Sequence, residues 1–359
     1  MSGQNTRLQW VDTAKGISII LVVMMYSVFN VGQDVEGAGA FHYVMGFATP
    51  FRMPEFFLIS GLFLDQVIAR NWRAYADRRV VHYLYFYSVW AVIHIVVKVG
   101  IASRDPGTML EYLGWAVIEP YGVLWFIYLL AAFSLATKLA YELKAPRWAV
   151  FALGAAFQMA HVQTGSYLID QFCAYFVYFY AGYIFAPAIF RIVDWAVAHK
   201  AQAITALAGY ALVNGLLVFS PGYAVLPNEI HPGLAALPGI RLTLALAGSL
   251  ALCVAAAFLT GFRVTNWLRW LGEHSIVVYL VFVLPMSFAR IALLKIGLIH
   301  DVTVLSGIVM VVSILASVAL YLAVQSTGRG KFLFERPAWA HLPGTKGSRS
   351  YKVRAVPAE

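Results

Sequence analysis

The stretch that decides the fold is ISIILVVMMYSVFNV, Ile17 to Val31, fifteen residues without a single charge. It is preceded by Asp12-Thr13-Ala14-Lys15-Gly16 and followed by polar and glycine residues. With its flank the run reaches about the twenty residues a bilayer crossing needs, so a first span is placed at 13–31. An acid and a base stand before it, where a cleaved leader would carry a purely basic region. No small-residue cleavage site follows, and the segment reads as a retained membrane helix.

Nine further apolar runs extend outward from this one, at 47–67, 80–99, 122–141, 148–161, 171–189, 202–220, 240–260, 275–294 and 303–324. The fifth span is short for a bilayer. Met109–Pro120 reads as a re-entrant or interfacial helix, and Trp267–Trp270 as an amphipathic one. The chain is 61% hydrophobic and 12% charged, against about half and a quarter in a soluble domain. That balance requires lipid as solvent. The expected architecture is all-α, a polytopic transmembrane bundle of about ten helices. A single membrane domain over 1–325 would precede a basic, partly disordered tail over 326–359.

Charge placement gives the orientation. With the N-terminus inside, the cytoplasmic loops hold Arg70, Arg73, Arg78 and Arg79, then Lys144 and Arg147, Arg191 and Lys200, Arg263 and Arg269. The tail adds Arg329, Lys331, Arg336, Lys346, Arg349, Lys352 and Arg354. The other side carries Asp34, Glu36, Asp105, Glu111, Glu229 and Asp301. Both termini are therefore expected in the cytoplasm. The net charge of +9 is spread over these loops, which argues against nucleic acid as a partner. Trp10, Trp90, Trp115, Trp148 and Trp270 stand near span ends and read as an aromatic belt. Cys173 and Cys253 lie in apolar runs and read as buried hydrophobes, with no disulfide framework or metal spacing. No repeat symmetry of the kind used by transporters is visible.

Polar groups inside spans need an account, because each is costly in lipid. Asp12 and Lys15 share a helix face and form either a local ion pair or the mouth of a polar route. Lys15 and Tyr26 are eleven residues apart on one face, three turns and about 16 Å of rise. In span two, Arg52 and Glu55 flank Pro54. They either pair with each other near an interface or shape a polar cavity with Glu55 as base and Arg52 as anion anchor. Ser27 is expected to bond back to its own helix. Ser275 or Glu273 is expected to cap the ninth span. HExxH, GxSxG, Walker and CxxC patterns are absent from the sequence.

Several segments together resemble the acyltransferase 3 family, integral-membrane enzymes of bacteria that O-acylate carbohydrates. They are Asp12–Val23 (DTAKGISIILVV), Arg52–Phe63 (RMPEFFLISGLF), the basic loop Arg70 to Arg79, Leu124-Trp125-Phe126, and Leu271–Leu280 (LGEHSIVVYL). The resemblance spans roughly 10 to 325. It implies an inner-membrane enzyme with a cytoplasmic acyl-CoA donor and no metal or prosthetic group. The acceptor it implies is a hydroxyl of a cell-envelope glycan, with membrane lipids around the protein. Lys15, Asp12, Arg70, Arg73, Arg78, Arg79, Trp125 and Ser275 become candidate substrate-binding residues, the arginines suited to coenzyme A phosphates. Positive-inside topology alone would also produce those arginines.

Two positions depart from the family pattern. Where a span-one histidine is expected, this chain has Tyr26. Where many members carry a histidine after Tyr-Leu in span nine, it reads Val281-Phe282-Val283. A phenol, with an ordinary pKa of about 10 against about 6.5 for imidazole, is a poor base at neutral pH. It still donates a hydrogen bond to an oxyanion. Tyr26, Glu55 and Arg52 are the candidate catalytic residues, with Glu55 as replacement base. The other readings are an impaired family member that binds a ligand or assists export, and a small-molecule transporter.

Overall fold

The structure, a computed structural model, describes residues 3–101 and 104–350, with side chains from Gln9 onward. Lys352 and Arg354 of the cationic tail lie outside the described residues. The helices are α1 (Gly3–Val35), α2 (Ala40–Ala48), α3 (Arg52–Gly61), α4 (Asp65–Ile68), α5 (Trp72–Ala76), α6 (His82–Ile95), α7 (Pro106–Trp115) and α8 (Trp125–Glu142). They continue with α9 (Arg147–Met159), α10 (Tyr167–Ala198), α11 (Lys200–Val218), α12 (Pro238–Thr260), α13 (Asn266–Glu273), α14 (Ser275–Val281), α15 (Val283–Ile296) and α16 (Val302–Thr327). A two-stranded antiparallel hairpin, β1 (Ala224–Leu226) and β2 (Glu229–His231), interrupts them.

Among the described residues, seven helical stretches are long and apolar enough to cross a membrane. The pair α14 and α15, bent by 52° at its junction, makes an eighth. The chain is an all-α, multi-pass membrane bundle, as its hydropathy predicts. Three of the ten expected spans are not single long helices, the bent pair at 275–294 being one of them. The stretch 148–161 is the 13-residue α9, about 20 Å long and short of a bilayer. The stretch 47–67 is broken into the end of α2, α3 and α4.

The break in span two has a local cause. Pro50 lacks an amide hydrogen, so the ladder tightens to Thr49 N–H→Gly46 O (3.2 Å) and Phe51 N–H→Ala48 O (3.2 Å). The Phe47 carbonyl released by this change accepts from Asn214 Nδ2 of α11 at 2.9 Å. A freed carbonyl in lipid requires such a partner. Pro54 then falls in the first turn of α3, where its missing N–H costs nothing. Pro285 occupies the same place in α15, just past the 52° bend.

The chain divides into two compact units: Met1–Phe63 with 151–162 and 173–320, and Leu64–Val150 with 163–172 and 321–359. In the first, α1 is the hub, packed on α3, α12, α13 and α14. Glycines set the closest crossings. A Cβ on Gly272 would lie 1.6 Å from the Asp12 carbonyl oxygen, and one on Gly16 would lie 2.1 Å from that of Leu268. Gly182 and Gly61 mesh α10 with α3 in the same reciprocal way, at 2.0 and 2.1 Å from the Leu58 and Phe179 oxygens. Small residues at such crossings let backbones approach where lipid gives no hydrophobic drive.

In the second unit α8 packs on α6 and on the five-residue π-turn 77–81. Lys138 of α8 is fully buried and donates to the Ile68 (2.7 Å) and Arg70 (2.9 Å) carbonyls. It also pairs with Glu142, inside a ring of Trp72, Tyr75 and Tyr141. Tyr85 Oη and Trp90 Nε1 donate to the Phe332 and Leu333 carbonyls, fixing the segment after α16.

The belt expectation needs correction for two tryptophans. Trp10 and Trp90 are buried, at 3% and 2% exposure, in the cores of their own units. Trp115, Trp148 and Trp270 are exposed.

Candidate functional site

Asp12 and Lys15 face each other one turn apart on α1, Lys15 Nζ 3.4 Å from Asp12 Oδ1. Both side chains keep part of their surface open. The Gly16 and Gly272 contact brings α13 and the start of α14 against this same segment. Ser275 is buried at the start of α14 but makes no capping bond there, and Glu273 instead lies 4.0 Å from Arg269. The capping expectation is thus replaced by close backbone packing.

Higher on α1, Tyr26 stacks at a tilt against Phe282, ring centroids 5.5 Å apart. Phe282 sits at the bend between α14 and α15. The contact sets Tyr26 of α1 against the Val281-Phe282-Val283 stretch at that bend. Ser27, next to Tyr26, does not bond to its own helix. Its hydroxyl donates across to the Ser306 carbonyl of α16 at 2.6 Å. A buried hydroxyl takes whichever carbonyl is nearest, and α16 supplies one.

Arg52 opens α3 and points toward α1. The Tyr26 and Tyr175 hydroxyls and the Arg241 guanidinium lie within its electrostatic reach. Its Nη1 is 3.9 Å from Met45 Sδ, and the guanidinium lies 5.9 Å from the Phe29 ring centre. Its Nε has no hydrogen-bond partner among the described residues. Glu55 does not pair with it, although the two are three residues apart on one helix. Glu55 is fully buried and bonds to Ser18 of α1. Ser18 and Tyr26 are eight residues apart on α1, about 12 Å of rise. Tyr26 thus lies within the electrostatic reach of Arg52, while Glu55 is engaged elsewhere, by Ser18 of α1 and close to Cys253 of α12.

The remaining candidates belong to the second unit. Trp125 is buried at the start of α8, edge-on to Tyr167 at 6.2 Å. Glu119, just before it, accepts from Ser166 Oγ and the Leu168 amide (3.0 Å), which caps α10. Arg70 and Arg73 are exposed on either side of the start of α5, and Arg78 and Arg79 lie on the π-turn. Arg79 Nη1 is 3.4 Å from Tyr83 Oη.

Sequence reasoning missed Tyr175 and Arg241. Arg241 carried a usable signal, as a cation two positions inside an apolar run. Tyr175 carried none, being one of several tyrosines in span six. Tyr26, Tyr175 and Arg241 act on Arg52 through their charge, a cluster in the electrostatic sense of two guanidinium groups and two phenols. Such a cluster donates hydrogen bonds and positive charge to an anion or a developing oxyanion. It contains no good proton acceptor at neutral pH.

The model of one protein family, described as an acyltransferase domain, matches residues 8–322. No curated protein and no solved structure matches the chain. The matched residues take in all of α1 that carries the Asp12-Lys15 pair and Tyr26, the Arg52 turn and the Gly272 crossing. By that match over most of its length, the chain belongs to the acyltransferase 3 family of membrane acyltransferases.

Proposed function

We propose that the protein moves an acyl group, acetyl or succinyl-like, from an acyl-CoA donor in the cytoplasm to a hydroxyl of a cell-envelope glycan. It does so in the inner membrane of a bacterium, with both termini on the cytoplasmic side. The observation that carries this reading is the Arg52 guanidinium, without a carboxylate partner among the described residues and set beside Tyr26 and Tyr175. In lipid, a cation with no acid beside it fits a place where a negative charge is received.

In the reaction, the acceptor oxygen attacks the thioester carbonyl, a C–O bond forms and the C–S bond breaks. The negative charge that develops on the carbonyl oxygen is met by the Arg52 guanidinium and the Tyr26 phenol. The acceptor's hydroxyl proton ends on the departing thiol. Glu55 serves as a link between α3 and α1 through Ser18, and the proton transfer does not pass through it. Removal of one oxyanion donor costs about 10²–10³ in rate, so Arg52→Gln is expected to abolish detectable acylation.

A second reading is favoured by the Tyr26–Phe282 contact, which sets aromatic surface against the position where a span-one histidine is expected. On it, the chain binds a family ligand without turning it over. Complementing a deletion strain with Tyr26→His and Tyr26→Phe separates the two. Acylation retained by wild type and lowered in Tyr26→Phe supports catalysis. Acylation absent with wild type and present with Tyr26→His supports the impaired reading.

A further inference from the structure

The C-terminal segment lies beyond the residues matched by the family, which end at 322. Yet it is built into the second unit around one buried carboxylate. Asp77, on the π-turn, accepts from Arg336 Nη2 at 2.6 Å and from the Leu342 amide at 2.8 Å, with His341 Nδ1 at 3.1 Å. Arg336 Nη1 also donates to the Asp77 carbonyl at 2.7 Å. Both partners of this ion pair are almost wholly buried, at 4% and 2% side-chain exposure. A tight turn follows, with Thr345 N–H→Leu342 O (3.1 Å), Ser348 N–H→Thr345 O (3.0 Å) and Gly347 at φ +104°. A side chain on Gly347 would collide with the His341 ring, 2.7 Å away.

Between the π-turn and this segment lies a cavity of about 520 Å³. Arg78, Arg79, Arg336 and Lys346 line it, with His82 and His341 and the single acid Asp77. Asp77 is already matched by Arg336, so the lining as a whole carries a net positive charge. Arg336 keeps a further donor, its Nε, without a hydrogen-bond partner among the described residues. A built, cationic cavity with spare N–H donors calls for a multiply charged, oxygen-rich anion. π-turns of this kind recur at functional sites because they re-aim side chains within a helix.

We infer that this cavity binds a phosphate group of a ligand at the membrane surface, and that Arg336 and Lys346 of the C-terminal segment complete it. The same chemistry is offered by the phosphates of a coenzyme A thioester and by an anionic lipid headgroup. The first source rests on the donor reading above; the cavity itself does not. On either, the segment is part of the binding machinery and Asp77 is the residue that positions it.

The test titrates the full-length protein in detergent micelles with coenzyme A and, separately, with short-chain phosphatidylglycerol against phosphatidylcholine. Wild type is compared with Arg78→Gln and Lys346→Gln, both exposed and outside the Asp77 clasp, and with Arg263→Gln as a distant cation. Each lining variant is expected to raise the dissociation constant for coenzyme A about tenfold, more at low salt, with Arg263→Gln unchanged. Binding of phosphatidylglycerol alone, with the same dependence on Arg78 and Lys346, supports the cavity and removes the donor from it. Coenzyme A binding that is equal in wild type and both lining variants overturns the cavity while leaving the donor reading intact. No binding of either phosphate ligand to wild type also overturns it.

Discussion

Gly272→Ala is the substitution whose cost can be worked most directly from the structure. The added methyl would sit 1.6 Å from the Asp12 carbonyl oxygen, 2.6 Å from its carbon and 2.7 Å from the Gly16 nitrogen. All three are backbone atoms, so no side chain can rotate away. Ordinary contact begins near 3.4 Å, and the crossing must open by about 1.8 Å along that direction. Such overpacking costs typically 1–3 kcal/mol, and a backbone obstacle places this case at about 3 kcal/mol or above. The melting temperature of purified protein, followed by the fluorescence of its ten tryptophans, should fall by roughly 5 °C or more. Gly209→Ala is the matched control, since nothing lies within 4 Å of its Cβ position in the middle of α11. Helix propensity makes that change neutral or stabilising by up to about 1 kcal/mol. Equal melting temperatures for the two variants would refute the close packing of α1 on α13.

Glu55→Gln keeps a partner for Ser18 and is expected to retain melting temperature and acylation rate. Glu55→Ala removes the link between α3 and α1 and should cost about 2–3 kcal/mol in thermal unfolding. A rate loss of about 10²–10⁴ in Glu55→Gln would instead make it the base. Asp77→Ala strands the buried Arg336 and should cost about 3–5 kcal/mol locally. Limited proteolysis of intact protein should then cut within 337–350, and an unchanged digest would contradict the clasp. Arg52→Lys keeps the charge but not the planar fork, so its acylation rate should fall between those of wild type and Arg52→Gln. Identical rates for all three would remove Arg52 from the site.

The helical bundle was legible because a bilayer imposes one length and one composition on every crossing. Pro50 and Pro54 stand in span two, where a proline interrupts the helical ladder. That Pro54 restarts a helix, while Asn214 takes the Phe47 carbonyl, depends on a partner 167 residues away. The pairing of Arg52 with Glu55 was a fair expectation from spacing. It fails because Ser18 on α1 and the cluster around Tyr26 draw the two side chains to different neighbours. Trp10 and Trp90 stand at span ends like belt residues, yet each turns inward, Trp10 onto Phe190 and Trp90 onto the Leu333 carbonyl. The contact between Tyr26 and Phe282 joins residues 256 positions apart, and the 52° bend that creates it is marked only by Pro285. Arg336 reads in the sequence as one more tail cation, because its burial against Asp77 arises from the way the C-terminal segment folds back within its unit.

The central claim is acyl transfer at the Tyr26–Arg52 cluster. Mass spectrometry of cell-envelope glycans, from a deletion strain complemented with wild type or with Arg52→Gln, tests it most directly. The account predicts a glycan acyl group that is present with wild type and missing both from the deletion and from Arg52→Gln. Glycans acylated to the same extent in all three strains would contradict it.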